Sequence, residues 1–263
     1  HTMKRAVLIG INYFGSDNEL AGCINDVYDM EKYLDAWGCE EYMVLVDDPD
    51  DPEHKLPNCP TRANIIAAMR DMVARTAAGD TLYVHYSGHG SQLRDQPFGD
   101  EIDRMDETIC PVDMSDDAPD AGFIRDDTLR EVLVDALAPG AKLRVVFDSC
   151  HSGSALDLPV GWLPAGVIIP ESRAAVRTSP APDVMFISGC MDAQTSSDAT
   201  FDGRNNGALT HALLFNLQKY KGKTITWSKL CRGIDWFLKT GGYTQTSQLG
   251  CMVASQLLGN VDL

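Results

Sequence analysis

The sequence predicts an α/β domain built on a mostly parallel central sheet, flanked by helices on both faces. Three observations predict it. Short apolar runs closed by Gly, Asn or Asp alternate with stretches of helical period. Strands that alternate with helices need crossover connections, and these cover both faces of a parallel sheet. The 263 residues, 44% of them hydrophobic, are enough to bury one large core.

In chain order, Ala6-Val7-Leu8-Ile9-Gly10-Ile11 is the first buried strand, followed by a helix over about 24–37 and a second strand at 42–46. A helix over 61–77, with Thr61 as its N-cap, leads to the strand Thr81-Leu82-Tyr83-Val84-His85-Tyr86. A helix over 127–137, capped by Asp126 or Asp127, leads to the strand at 143–147. A fifth strand covers 183–188, helices follow at 207–219 and 227–239, and 252–254 is expected as a late edge strand. Two segments break the alternation. Residues 91–126 are rich in acids, Gly and Pro. Residues 157–182 carry five prolines with Arg173 and Arg177 between them, and read as a mobile connector. The expected organisation is one domain: a larger region over 4–158, a connector over 159–182 and a smaller region over 183–263, with 1–3 as a tag remnant.

Lys and Arg number 22 against 38 Asp and Glu, a formal charge of −16. That balance argues against nucleic acid and against anionic lipid. It suits a divalent cation or a Lys/Arg-bearing peptide, though a solvated acidic surface has the same composition. No run approaches the roughly 18 apolar residues of a membrane span, and no leader pattern opens the chain. Eight cysteines without a CxxC pair read as reduced thiols, so a cytoplasmic protein is expected.

In parallel sheets, chemistry collects beyond the carboxyl ends of the strands. One predicted strand ends at Ser87-Gly88-His89-Gly90 and another at Asp148-Ser149-Cys150-His151. If both strands are central, His89 and Cys150 emerge at the same edge, where a thiol beside a base is a nucleophile for acyl transfer. The glycines around His89 leave N–H groups to face an oxyanion, with Gly90 and Cys150 as the candidates. A buried core thiol and a turn histidine are the plain alternative; the pairing of two Gly-flanked strand ends favours the dyad. His151 is a second possible base. Other thiol and nucleotide chemistries fail: a phosphatase loop needs Arg where Leu156 stands, and neither a G-x-S-x-G elbow nor a P-loop occurs.

His85-Tyr86-Ser87-Gly88-His89-Gly90 and Asp148-Ser149-Cys150-His151-Ser152-Gly153 together resemble the metacaspases, caspase-like cysteine peptidases, of type I. Gly10-Ile11-Asn12-Tyr13, Gly22-Cys23-Ile24-Asn25-Asp26 and the run from Ser188 to Thr195 match the same pattern, so the resemblance spans nearly the whole chain. It implies a caspase-like fold, His89 as general base and Cys150 as nucleophile. It also implies cleavage after Arg or Lys in an S1 pocket lined by Asp26 and Asp148, with Cys23 and Ser87 nearby. Asp26 as a helix cap is the plain alternative. The family's calcium ligands map onto Asp106, Asp126, Asp127 and Asp157, so Ca2+ is the expected cofactor; Asp106 has a rival role as an ion-pair partner of Arg104 or Arg125. Asp100, Glu101 and Asp103 read as a solvated loop, and Asp47 to Asp51 as a solvated turn. Arg173 and Arg177 are candidate autocleavage sites, and a monomer acting on Arg/Lys-containing proteins or peptides is expected. A non-proteolytic, calcium-responsive scaffold that keeps the fold is the rival function.

Overall fold

The computed structural model describes residues 1–94, 105–115, 117–150, 152–166, 168–169, 181–189, 198–201 and 204–263. From the amino end, β1 (Lys4–Gly10), α1 (Cys23–Trp37), β2 (Glu41–Val46), α2 (Arg62–Arg75) and β3 (Thr81–Ser87) follow the predicted alternation. A small sheet comes next: β4 (Gly90–Arg94), β5 (Met105–Ile109), the single turn α3 (Pro119–Gly122) and β6 (Ile124–Arg125). Then α4 (Asp126–Leu129) runs into a π-helical turn over Arg130–Asp135 and on to β7 (Lys142–Asp148). Beyond it lie β8 (Val160–Trp162), β9 (Ile168–Ile169) and β10 (Asp183–Ser188). The hairpin β11 (Asp198–Phe201) and β12 (Arg204–Gly207) precedes α5 (Ala208–Lys219), α6 (Trp227–Thr240), β13 (Gln248–Cys251) and a 3-10 turn over Ala254–Leu258.

The main sheet has the order β2-β1-β3-β7-β10-β13-β8-β9. Strands β2, β1, β3, β7 and β10 are mutually parallel, and β13 is antiparallel to β10. All seven residues of β3 are buried, as befits a strand covered on both faces. Alternate side chains divide between two cores. Val7, Ile9, Val84 and Val145 face α2 and the π-helical turn, whereas Ala6, Leu8, Tyr83 and Val146 face α1, α5 and α6. Full burial of each such aliphatic side chain contributes roughly 1.5–3 kcal/mol.

Three local expectations are corrected. The late strand is β13 at 248–251, and it is interior: β8, from the stretch expected to be connector, pairs with it through Leu249 and Trp162. Residues 254–258 form the 3-10 turn instead. Thr61 does cap α2, its side chain accepting from the Asn64 N–H at 3.2 Å. Neither Asp126 nor Asp127 caps α4, because Arg125 holds the capping position without a side-chain bond. Asp47 is not in a solvated turn. It directly follows β2, is 4% exposed, and accepts from the N–H groups of Asn12 (2.8 Å) and Phe14 (3.3 Å).

At the amino ends of the strands, the buried guanidinium of Arg144 on β7 binds Asp262 at 2.7 Å and 2.9 Å, and Asp183 at 2.9 Å and 3.2 Å. Lys142 adds a bond to Asp262 at 2.8 Å. Burial alone would raise the Asp262 pKa; the hydrogen bonds and charge of Arg144 and Lys142 outweigh it and hold the carboxyl below its ordinary value. A depressed acid stabilises the fold above its unfolded pKa and loses that contribution as pH falls through the folded one. Asp262→Asn should therefore lower stability in urea at neutral pH by about 1–3 kcal/mol, the worth of a charge-assisted bond. The gap between variant and parent should close below about pH 4.

Candidate active site

Strands β3 and β7 pair in register to their last residues, with Ser87 opposite Asp148. Two residues beyond that pair stand His89 and Cys150, so the register alone delivers them to one place. The approach is tight: a Cβ on Gly90 would overlap the carbonyl oxygen of Cys150. Any residue but glycine there forces the two loops apart. Both His89 and Cys150 are half-buried. His151 lies outside the described residues.

The His89 loop is fixed by two phenols. The Tyr13 hydroxyl accepts from the His89 N–H at 2.9 Å and donates to the Cys110 carbonyl at 2.7 Å. The Tyr86 hydroxyl donates to the His89 carbonyl at 2.7 Å. The Tyr13 ring lies 4.7 Å from the imidazole, centroid to centroid, and Tyr13 holds a left-handed φ of 53°. His89 Nε2 is 2.7 Å from the main-chain carbonyl of Asn18. A carbonyl only accepts, so Nε2 carries the proton and the lone pair is on Nδ1.

Beside this pair, Asp26 is fully buried and Asp148 is 3% exposed. Asp26 accepts from Ser87 Oγ at 2.6 Å, Asn206 Nδ2 at 2.9 Å and the Gly207 N–H. It therefore does not cap α1; Asn12 Oδ1 does that work, accepting from the N–H of Cys23 at 3.1 Å. Asp148 accepts from the Thr210 N–H at 2.8 Å. The two carboxylates converge on the Cα of Gly207, where a Cβ would overlap Asp148 and lie 2.6 Å from Asp26 Oδ2. Burial, and then the neighbouring Asp148, push the Asp26 pKa well up against the hydrogen bonds that favour its charge. Cys23 is buried one turn earlier on α1.

A second acidic group lies where the start of α4 meets the loop that follows Cys150. Carboxylate oxygens of Asp126, Asp127 and Asp157 all fall within 4.8 Å of one another. Asp126 is pushed up to about 10, first by burial and then by Asp157. Asp157 holds a left-handed φ of 46°, and its carbonyl accepts from Arg130. Glu107 is tied into the group: its N–H donates to Asp126 at 2.7 Å, and its carboxylate accepts from Ser154 Oγ at 2.6 Å. An all-oxygen set drawn from the first turn of α4 and the Asp157 loop fits a hard cation such as Ca2+. Asp106 stands apart, paired with Arg125, the second of the two partners expected for it. Asp100, Glu101, Asp103, Arg173 and Arg177 lie outside the described residues.

Residues 4–159 match the sequence profile of the family described as "Metacaspase, peptidase C14 domain". The chain is 37% identical to Metacaspase-1 of Ajellomyces capsulatus over an alignment covering 94% of this chain and 79% of that protein. It belongs to the metacaspase family of cysteine peptidases. The fold agrees. A crystal structure of a Geobacter sulfurreducens protein superposes with a TM-score of 0.66 at 24% identity, covering 97% of each chain. Caspase-1 of Spodoptera frugiperda superposes with a TM-score of 0.58 at 12% identity, covering 96% of this chain and 89% of that one. The metacaspase thus carries the caspase-like fold, and among its described residues no helix is long and apolar enough to cross a membrane.

Several neighbours of this site carry no sequence signal. Asn18 contributes only its carbonyl, and Asn206, Gly207 and Thr210 reach Asp26 and Asp148 from more than sixty residues away. Tyr13 and Tyr86 do stand inside the motifs that carry the family resemblance. In this metacaspase, Gly90→Ala should cost about 1–3 kcal/mol of stability through overpacking against Cys150. Cys150 should also be alkylated by iodoacetamide at a changed rate, read by mass spectrometry. An unchanged rate and melting point would show that the loops have slack.

Proposed function

We propose that this metacaspase is a calcium-activated endopeptidase that cleaves after Arg or Lys with a Cys150–His89 dyad. The observation that carries the reading is the pair of buried carboxylates, Asp26 and Asp148, on strand and helix ends next to Cys150. Two buried acids that repel each other would be relieved by a cation, and a guanidinium meets carboxylates with paired, charge-assisted hydrogen bonds. An Asp side chain of a substrate would meet like charge there.

His89 Nδ1 takes the proton of the Cys150 thiol, with the Asn18 carbonyl holding the protonated Nε2 and Tyr13 and Tyr86 holding the loop. The Cys150 sulfur attacks the carbonyl carbon on the carboxyl side of Arg or Lys. The oxyanion is assigned to the N–H groups of Gly90 and Cys150. The tetrahedral adduct collapses, the C–N bond breaks, and the amine leaves with the proton from His89. Water, deprotonated by His89, then attacks the thioester and releases the acid and the free thiol.

Asp126, Asp127 and Asp157 would hold Ca2+, with Asp106 as an outlying fourth ligand. The ion would supply positive charge that lets these carboxylates stay ionised together. The segment from Cys150 to Asp157 already ties to neighbours through Ser154–Glu107 and through Gly153, whose carbonyl accepts from Gln248 at 3.2 Å. Ordering Asp157 would therefore order the nucleophile's loop. Arg173 and Arg177 are the proposed autocleavage sites. Coverage of β13 by β8 favours a monomer, because the strand edge next to β10 is occupied within the same chain. A cytoplasmic placement belongs to this reading, on eight cysteines without a CxxC pair.

Fluorogenic peptides ending in Arg, Lys or Asp, assayed with and without millimolar calcium, test this reading. Arg and Lys peptides should be cleaved only with calcium, Asp peptides not at all, and Cys150→Ala should abolish turnover. Asp148→Asn should lower kcat/KM for the Arg peptide about 30-fold or more, as expected when one partner of a buried charge pair is removed. Asp126→Asn should raise the calcium needed for half-activation. Calcium binding without turnover of any peptide would favour the scaffold function instead.

A further inference from the structure

Several cations of this acidic chain are neutralised where they stand: Arg5, Arg75, Arg125, Arg144 and Arg204 each meet a carboxylate. Five cations without such a partner gather in one region. From 203 to 234 the sequence holds no Asp or Glu. Within that stretch Lys219, Lys221, Lys223, Lys229 and Arg232 are exposed, and none forms an ion pair with a described residue. Three of them lie over aromatic faces instead. Lys219 is 5.5 Å from the Trp236 ring, Lys229 is 5.5 Å from Tyr220, and Arg232 is 5.5 Å from Trp162. Lys4 lies 3.8 Å over Trp37 on the adjoining helix end.

Between the last turn of α1 and the connection from α5 to α6 lies a cavity of about 210 Å3, lined by two of these cations, Lys221 and Lys223. Its walls are apolar and aromatic, with Tyr33, Trp37, Tyr220 and Ile225, and Lys221 and Lys223 stand on it. The volume is below the roughly 300–1,000 Å3 of small-molecule sites, so it suits a single large side chain. Helix α1 starts beside Asp26 and runs 15 residues to Trp37, which puts the cavity on the order of 20 Å from the cleft, at the opposite end of the sheet. An occupant here leaves the cleft open.

We propose that this cavity and its lysines form a docking site for an acidic segment of a partner protein. One large apolar side chain fills the cavity, and flanking Asp or Glu residues meet Lys221 and Lys223. Charge complementarity selects this occupant. A short segment feels the local cations, because charges beyond about 8 Å are screened at physiological salt. An extended polyanion, whether nucleic acid or an anionic bilayer, would also face the rest of a chain whose net charge is −16. The site does not depend on how the cleft works.

The test uses Cys150→Ala protein, so that peptidase activity has no bearing on the result. Anisotropy is read with a fluorescein-labelled peptide, Asp-Glu-Asp-Phe-Asp-Glu-Asp, and with its Phe-to-Gly analogue. The Phe peptide should bind in the micromolar range, and the Gly analogue at least ten-fold more weakly. Binding of the Phe peptide should also fall at least ten-fold when Lys221→Glu and Lys223→Glu are combined, with the melting temperature unchanged. No binding at millimolar peptide would overturn the proposal, as would equal affinity for the double variant. Tighter binding to phosphatidylserine vesicles or to a single-stranded oligonucleotide than to the peptide would overturn it in favour of that ligand.

Discussion

The register of β3 on β7 is the constraint from which the rest of the site follows. Seven consecutive pairs, from Thr81–Lys142 to Ser87–Asp148, fix how far each strand projects. A slip of one residue would turn every side chain of β7 to the other face of the sheet, exchanging Val145 for Val146 in both cores and carrying Asp148 away from Asp26. The two hydrophobic cores therefore hold the geometry of the cleft as firmly as any contact within it. Glycines at 90 and 207 then allow the loops and the hairpin to close on that frame without side chains in the way.

Placing several carboxylates out of water is the cost that the architecture has to manage. Asp26 and Asp148 are supplied with donors from Ser87, Asn206, Gly207 and Thr210. Asp126 draws on the N–H groups of Glu107 and Asp127. Donors of this kind favour the charged form but do not cancel repulsion between neighbouring acids. Repulsion therefore remains inside both acidic groups, between Asp26 and Asp148 and between Asp126 and Asp157. At the far end of the sheet Arg144 shows the complementary solution, a buried cation between two carboxylates.

Much of this was legible in the sequence, because strands buried on both faces leave unbroken apolar runs and their carboxyl ends are marked by Gly and by polar residues. The five parallel strands and the five long helical patterns fell within a few residues of their places, as did the convergence of His89 with Cys150. Distance along the chain hid the rest. Nothing local announces that the Asn18 carbonyl faces an imidazole, or that Asn206 reaches Asp26. Asp47 looked like one of a run of exposed acids, yet the end of β2 brings it to the loop that carries Tyr13. Strand β13 was displaced by a few residues because Met252-Val253-Ala254 is as apolar as a strand, while Gln248 and Gly250 are not.

The pairing of Arg144 with Asp262 also orders events in time. The two residues lie 118 positions apart, and a chain leaves the ribosome from its amino end. Until residue 262 has been made, the strand that delivers Cys150 holds a guanidinium in the sheet with one carboxylate fewer, that of Asp183 alone, to answer it. Closing so long a loop costs entropy that later contacts must repay, which places this step late in folding. During synthesis, the cleft end of β7 can find its neighbours on β3 well before the opposite end of the same strand is secured. The fold is thus secured from the cleft end of β7 toward its amino end.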